Sequence, residues 1–228
     1  MPKISIIIPT YNESQNLSLL LSDISIFNEE IEIIIVDCNS EDNTRDIANL
    51  YKTKIYNIKQ KNRGLQLNIG AKKAKGEWLI FLHADSRLIQ GWLKKIKSIT
   101  NKGNNFIYFF KFKISDEKII YRFLEIAVNL RSFIFRDPYG DQGLIIHRKT
   151  YFKNNGYRKI PLMEDVDFIK RLKKSIQLKM LNIPIFTSSR KWEKTNIIFQ
   201  ALKNWQLRKR WLKGESIKSL YDDYYKKN

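Results

Sequence analysis

Along the first eighty positions, short runs of β-branched residues alternate with segments whose apolar residues recur at helical spacing. Ile4 to Ile8 predicts a buried strand that stops at Pro9, and Glu32 to Val36 predicts a second that stops at Asp37. Between them, Leu17, Leu20, Leu21 and Ile24 place one apolar face on a helix over 16–26, giving a β-α-β unit. The alternation continues with a helix over 44–51, a strand over 54–58, a helix over 65–74 and a strand over 78–82. Strands alternating with helices predict an α/β fold with a mainly parallel sheet flanked by helices. Ligands bind beyond the carboxyl ends of such strands, which here are Pro9 to Glu13, Asp37 to Ser40 and His83 to Ser86.

After Thr100 the pattern loosens into an aromatic strand over 106–112 and a helix over 118–136. On that helix Ile119, Phe123, Ile126, Ala127, Leu130 and Phe133 share one face, opposite Arg122, Glu125, Asn129 and Arg136. Its apolar face suits a membrane interface as well as covering the sheet, and covering the sheet is the expectation preferred for this helix. A turn over 137–143, a strand over 144–147 and a helix over 164–174 follow. From Ser188 on, Trp192, Trp205 and Trp211 are set among Arg190, Lys191, Lys194, Lys203, Arg208, Lys209, Arg210 and Lys213. This tail suits covering the sheet and contacting a membrane interface equally well, since tryptophan and lysine or arginine side chains anchor at lipid headgroups. With no repeat or linker composition, the chain divides into a domain over 1–187 and a basic, aromatic helical extension over 188–228.

Charge changes the picture only once it is localised. Of 228 residues, 42 are Lys or Arg and 23 are Asp or Glu, a net charge of +19. The first fifty residues hold two basic and nine acidic side chains, so the remainder carries +26. That asymmetry points to an anionic partner for the later part, although 30 of the basic residues are lysines that solvent alone can satisfy. A single cysteine, Cys38, excludes an internal disulfide framework and fits a reducing compartment. No apolar run approaches the ~18 residues of a membrane span, and the start lacks the pattern of a signal peptide. The expected location is the cytoplasm, with the inner membrane face left open by the tail.

The three strand ends carry an ordered set of polar motifs. Pro9-Thr10-Tyr11-Asn12-Glu13 follows the first strand, Asp37-Cys38-Asn39-Ser40 the second, and Arg63-Gly64-Leu65-Gln66-Leu67-Asn68-Ile69-Gly70 leads to His83-Ala84-Asp85 after the fourth. Gly140-Asp141-Gln142-Gly143 and Glu164-Asp165 stand further on. Over residues 4 to 175 this set resembles glycosyltransferase family 2, whose Rossmann-like GT-A fold serves inverting, hexosyltransferase-like enzymes using nucleotide-diphospho-sugar donors. The family writes Asp-x-Asp where this chain has His83-Ala84-Asp85, a departure similar to that of a bacterial subgroup carrying His-Ala-Asp.

The resemblance implies a role for each motif. Pro9, Thr10, Tyr11 and Glu13 match the first nucleotide-contacting loop, and Asp37 matches the aspartate at the nucleotide base; on residue type alone both segments also read as helix caps. Arg63 precedes a helix, where a guanidinium can meet anionic oxygens, and Asn68 continues that segment. Asp85 leaves a buried strand, where an ionised carboxylate is costly unless paired or metal-bound, so Asp85, with Ala84 beside it, is the ligand for Mg²⁺ or Mn²⁺ and the diphosphate. His83 reads as a second metal ligand, as a hydrogen-bonding partner of a phosphate, or as a structural group that orients Asp85. Asp165 matches the general base, with Glu164 beside it; helix-start carboxylates favoured by the macrodipole are the alternative. Asp141 and Gln142 resemble an acceptor-side turn. Arg190 and Trp192 match only part of a distal Gln-x-x-Arg-Trp motif and lack its glutamine, which argues against a processive synthase.

The implied partners are a nucleotide-sugar donor and an acceptor, lipid-linked or otherwise anionic, with no nucleic acid. Three rivals follow from the same residues. A nucleotidyltransferase would need a glycine-rich loop after the first strand, and Pro9 to Glu13 has no glycine. A nucleic-acid-binding protein would use the +26 region and its aromatics without a recognised motif. A transferase fold without activity would account for His83 in place of an acid.

Overall fold

The computed structural model describes residues 3–27, 30–101, 106–189 and 197–225. Its centre is one eight-stranded sheet. Strands β1 (Ile4–Thr10), β2 (Ile31–Asp37), β3 (Lys54–Asn57) and β4 (Trp78–Phe81) pair in parallel in the order β3-β2-β1-β4. Helices α1 (Ser14–Ile24), α2 (Thr44–Leu50) and α3 (Arg63–Lys73) make the crossovers. Every residue of β1 and β2 is buried, as expected for parallel strands covered on both faces. Ile4, Ile6 and Ile8 pack into one apolar layer with Leu17, Leu20 and Leu21, while Ile7 points the other way against Leu67 and Ala71. Shortening one of these fully buried isoleucines to alanine would cost about 2–5 kcal/mol.

The second half mixes strand directions. β5 (Ser86–Leu88) and α4 (Trp92–Thr100) lead to β6 (Phe106–Ile114) and α5 (Ile119–Phe135). A 3-10 turn at Gly140–Gln142, β7 (Leu144–His147), α6 (Arg148–Lys153), α7 (Glu164–Leu172) and β8 (Gln177–Thr187) follow. The remaining helices are α8 (Ile197–Leu212) and α9 (Ile217–Tyr225). β7 is antiparallel to β4, β6 is parallel to β8, and β5 is antiparallel to the end of β8, completing the order β4-β7-β6-β8-β5. The sequence pattern predicts no strand over 177–187, where Lys179, Asn182 and Pro184 interrupt the apolar run. The eleven-residue β8 forms there because β6 supplies its ladder, with an irregularity between Phe109 and Lys111 in the β6–β8 register. The expected helical tail is present as α8 and α9, and Leu207 and Leu220 pack on Leu162, Met163 and Val166.

Helix α5 departs from expectation. Its apolar face does not cover the sheet: Ile119, Phe123, Ile126, Leu130 and Phe133 are each more than half exposed. The polar face turns inward instead, for a reason that lies in β6. β7 pairs with β6 at Tyr108 opposite Ile145, leaving the stretch from Phe110 to Ile114 to find other partners on that side. Asn129 takes both backbone groups of Phe112, accepting from its N–H at 2.8 Å and donating to its carbonyl at 2.9 Å. Glu125 accepts the Ile114 N–H at 2.8 Å, Arg122 donates to the Ile114 carbonyl at 3.3 Å, and Gln142 donates to the Phe110 carbonyl at 3.4 Å. These side chains do the work of a missing strand. A buried backbone group without a partner costs about 1–3 kcal/mol, so this polar column fixes which face of α5 looks in.

Candidate active site

The strand ends meet as the sequence predicts. Thr10 and Asp37 are cross-strand neighbours at the ends of β1 and β2, and the Thr10 hydroxyl donates to Asp37 Oδ1 at 2.8 Å. Asp37 also accepts the Ser40 N–H at 2.7 Å and the Ser40 hydroxyl, and is fully buried. Asn12 and Asn39 both adopt left-handed backbone, which asparagine tolerates better than most residues. Asn12 laces the two loops together by donating its N–H to Ser40 Oγ and accepting the Glu41 N–H, each at 2.9 Å. From α3, the Gln66 amide reaches the carbonyls of Thr10 and Val36 at 2.9 and 2.8 Å, pinning both strand ends from one side chain.

Arg63 opens α3, whose N-cap Asn62 accepts the Leu65 N–H at 2.9 Å. Gly64 lets this helix start against the chain at 158–160: a Cβ there would lie 2.1 Å from the Arg158 carbonyl oxygen and 2.7 Å from that of Ile160. The Arg63 guanidinium is ion-paired with Glu164, the first residue of α7. Burial alone would lower the Arg63 pKa, but the carboxylates of Glu164 and Asp165 outweigh it and hold the guanidinium above its ordinary value. Burial pushes Glu164 up to about 7, with Asp165 adding to the rise and Arg63 offsetting part of it. Glu164 Oε2 has no hydrogen-bond partner among the described residues, consistent with a carboxyl that protonates readily. Met163, just before α7, has left-handed backbone at φ 63°, costly for a residue with a Cβ and held by packing against Leu207 and Leu220.

Two cavities adjoin at this edge. The first, about 240 Å³, is walled by Pro9, Thr10, Tyr11 and Glu13 from the first loop, by Arg63 and Gln66, and by His83, Ala84 and Asp85 after β4. Tyr221, Tyr224 and Tyr225 of α9 close it, and Lys61 lies over the Tyr11 ring at 4.0 Å. The second, about 160 Å³, is walled by Tyr139, Gly140, Asp141 and Asp165, and by Asn204, Leu207 and Arg208 of α8. Arg63, His83 and Tyr224 line both. Asp85 faces only the first cavity and Asp165 only the second.

Gly140 sets the distance across this junction. Its N–H donates to Asp165 Oδ2 at 2.8 Å, and a Cβ on it would lie 2.8 Å from His83 Nε2 and 3.2 Å from Asp165 Oδ2. Asp165 Oδ1 accepts the N–H of Val166 at 2.8 Å, so the first turn of α7 and the 3-10 turn together fix this carboxylate.

Not every sequence-predicted residue faces a cavity. Asp37 spends its carboxylate on Thr10 and Ser40, Asn68 donates to the Tyr157 carbonyl at 3.0 Å, and Glu164 is turned onto Arg63. Gln142 is fully buried, accepting from Ser132 at 2.7 Å, so it braces α5 rather than the acceptor-side wall. Arg190 and Trp192 lie outside the described residues. Five further residues and the tyrosines of α9 line the cavities without having been assigned a role from sequence: Gln66, Lys61, Tyr139, Gly140 and Arg208. Gln66 and Gly140 stand within the quoted motifs, and Arg208 and the tyrosines belong to the basic, aromatic tail.

A divalent cation fits the first cavity only in one way. Among the described residues no three His, Cys, Asp or Glu side chains gather into a metal cluster. Mg²⁺ and Mn²⁺ at phosphate sites need only one or two protein ligands, the rest being phosphate oxygens and water, and Asp85 with His83 supplies that minimum.

Comparison with known proteins settles the kinship of this arrangement. The profile described as Glycosyl transferase family 2 matches residues 5–165. The chain belongs to this family. An uncharacterized glycosyltransferase of Haemophilus influenzae is 28% identical over 195 residues, covering 81% of this chain and 64% of its own. The Campylobacter jejuni GalNAc(5)-diNAcBac-PP-undecaprenol beta-1,3-glucosyltransferase is 35% identical over 112 residues, covering 45% of this chain and 36% of its own. The family 2 chain described here thus spans under two thirds of the length of these curated relatives. Among solved structures, Staphylococcus aureus TarS superposes with a TM-score of 0.68 at 18% identity, covering 82% of this chain and 36% of that one. Mannosyltransferase PcManGT from Pyrobaculum calidifontis, in complex with GDP-Man and Mn²⁺, gives 0.64 at 13% identity, covering 91% and 61%. The fold of the family 2 domain is therefore GT-A.

Proposed function

We propose that this chain transfers a sugar from a nucleotide-diphospho-sugar to an acceptor hydroxyl with inversion. The observation that carries the reading is the pair of cavities joined at Arg63, His83 and Tyr224, with Asp85 on one side and Asp165 on the other. The donor occupies the first cavity, where Thr10, Gln66 and the tyrosines of α9 surround the nucleoside and Arg63 meets the diphosphate. The acceptor occupies the second, between Asp141 and Asn204. Asp165 takes the acceptor hydroxyl proton as its oxygen bonds to the anomeric carbon, and the bond from that carbon to the diphosphate oxygen breaks on the opposite face. Arg63 stabilises the charge that develops on the departing diphosphate. Glu164 is a positioning residue, holding that guanidinium in place.

We read His83-Ala84-Asp85 as a variant of the family's Asp-x-Asp, in which Asp85 and His83 would hold Mg²⁺ or Mn²⁺ against the diphosphate. Such an ion supplies Lewis-acid neutralisation of the leaving group. The mannosyltransferase PcManGT, solved with GDP-Man and Mn²⁺, supports that reading. The buried Cys38 fits a cytoplasmic reaction.

Calorimetric titration with UDP and GDP, with and without Mn²⁺, tests the donor site, followed by a donor-hydrolysis screen of nucleotide sugars. Micromolar binding of one nucleotide diphosphate that strengthens with Mn²⁺ is expected; absence of binding by either would refute the proposal. Asp165→Asn should keep nucleotide binding and lose transfer, a split that a purely structural role for Asp165 would not produce.

A further inference from the structure

We infer that α5 is a docking surface for an anionic lipid bilayer. Ile119, Phe123, Ile126, Leu130, Phe133 and Ile134 form a stripe along four turns of the helix, every one of them more than half exposed, with no charged residue inside it. The helix cannot roll this stripe inward, because Asn129, Glu125 and Arg122 are bonded to the backbone of Phe112 and Ile114. An amphipathic helix held with its apolar side out is suited to lie in the plane of a membrane interface.

Charge decides between a bilayer and a second copy of the chain. Arg136 and Lys118, the latter 3.7 Å from Asp116, stand at the two ends of α5, and Lys111 and Lys113 line the groove beside Ile126, Leu130 and Phe133, where Glu125 is paired with Arg122. Two such faces pressed together would set like charges against each other on a protein of net charge +19. Anionic headgroups complement the same rim at a gain that falls with salt. A second element agrees independently: α8 exposes Leu202 and Trp205, with Lys209 4.9 Å from the Trp205 ring, an arrangement common where a ring sits at headgroup level and an amine reaches phosphate. Arg208 of α8 donates to the Tyr139 hydroxyl at 2.8 Å and pairs with Asp137, so α8 is tied to the segment that follows α5. Tyr139 and Arg208 also line the second cavity, so docking by α5 would hold that cavity at the membrane surface.

Flotation of the full chain with vesicles of phosphatidylcholine alone, and with about one third phosphatidylglycerol, tests this. The chain should float with the anionic vesicles at least about tenfold more than with neutral ones, and the paired change Phe123→Glu and Leu130→Glu should lower that by about tenfold or more while the circular dichroism spectrum stays unchanged. Failure to bind anionic vesicles, equal binding to neutral ones, or undiminished binding by the variant would overturn the inference. So would sedimentation showing a dimer that the same variant dissociates. Since nucleotide binding is read separately, neither outcome depends on the transferase reading.

Discussion

Substituting Gly140 by alanine tests whether the two cavities form one reaction centre. The added Cβ would sit 2.8 Å from His83 Nε2, 3.1 Å from His83 Cε1 and 3.2 Å from Asp165 Oδ2. Ordinary contact begins near 3.4 Å, so the imidazole must retreat by several tenths of an ångström and the carboxylate by less. Gly140 does not have left-handed backbone, so alanine meets no conformational penalty there. The whole effect therefore falls on His83 and Asp165.

A misplacement of about 1 Å costs about a hundredfold in rate when proton transfer and bond formation depend on a near-attack geometry, and the shift here is a fraction of that. Gly140→Ala should lower transfer about tenfold, bind metal-free UDP or GDP as wild type does, and melt within roughly 2–4 °C of it, which is about 1 kcal/mol for a chain of this size. The assay is initial-rate transfer with the donor found in the hydrolysis screen, beside calorimetry and thermal melting. Wild-type activity in Gly140→Ala would refute the placing of Asp165 and His83 at the point of reaction. A parallel collapse of stability would show instead that Gly140 serves packing alone.

Gly64→Ala should destabilise by about 3 kcal/mol or more, read by urea unfolding, because the obstacle at 2.1 Å is a backbone carbonyl that cannot rotate away; an unchanged midpoint would contradict the α3 contact. Asp85→Asn should keep the fold and lose the strengthening of UDP or GDP binding by Mn²⁺, seen in paired titrations, and retention of that strengthening would remove Asp85 from the metal's ligands. Glu164→Gln should gain on the wild type as pH rises from about 4.5 to about 7 and change little against it above that, read as the difference in melting temperature across pH. The sign follows from a folded-state pKa above the unfolded one: between the two, the unfolded wild type gives up a proton that the folded state keeps, so the wild type loses stability over that window, and the variant has no such proton. A pH-independent difference would place the Glu164 pKa near its ordinary value.

The parallel half of the sheet was readable because its information is local. Ile4 to Ile8 and Glu32 to Val36 are β-branched runs closed by polar residues, and the helix between them repeats its leucines at the right spacing. Local pattern also put Thr10 and Asp85 at strand ends and Arg63 and Asp165 at helix starts, and the resemblance to the family gathered them into one site. What it could not give is which side chains turn into a cavity. Asp37 reaches the edge but bonds to Thr10 and Ser40, Glu164 turns onto Arg63, and the tyrosines of α9 arrive from more than a hundred residues away. Gly140 was part of a recognised turn, but its role depends on His83 and Asp165, which no spacing relates to it.

Helix α5 shows why periodicity fixes a face without fixing its direction. Burying its apolar side would remove six large side chains from water, each worth about 1.5–3 kcal/mol when fully covered. Against this stand the N–H groups and the carbonyls of Phe112 and Ile114, which the inward polar face satisfies. If α5 rolled over, those groups would be sealed beneath apolar side chains with no donor or acceptor in reach, at about 1–3 kcal/mol for each, and Arg122, Glu125 and Asn129 would lose their partners as well. The two sums are of the same size, so hydrophobicity alone cannot choose the orientation. A lipid surface breaks the tie, because it lets the same helix satisfy the β6 backbone and remove its apolar face from water at once.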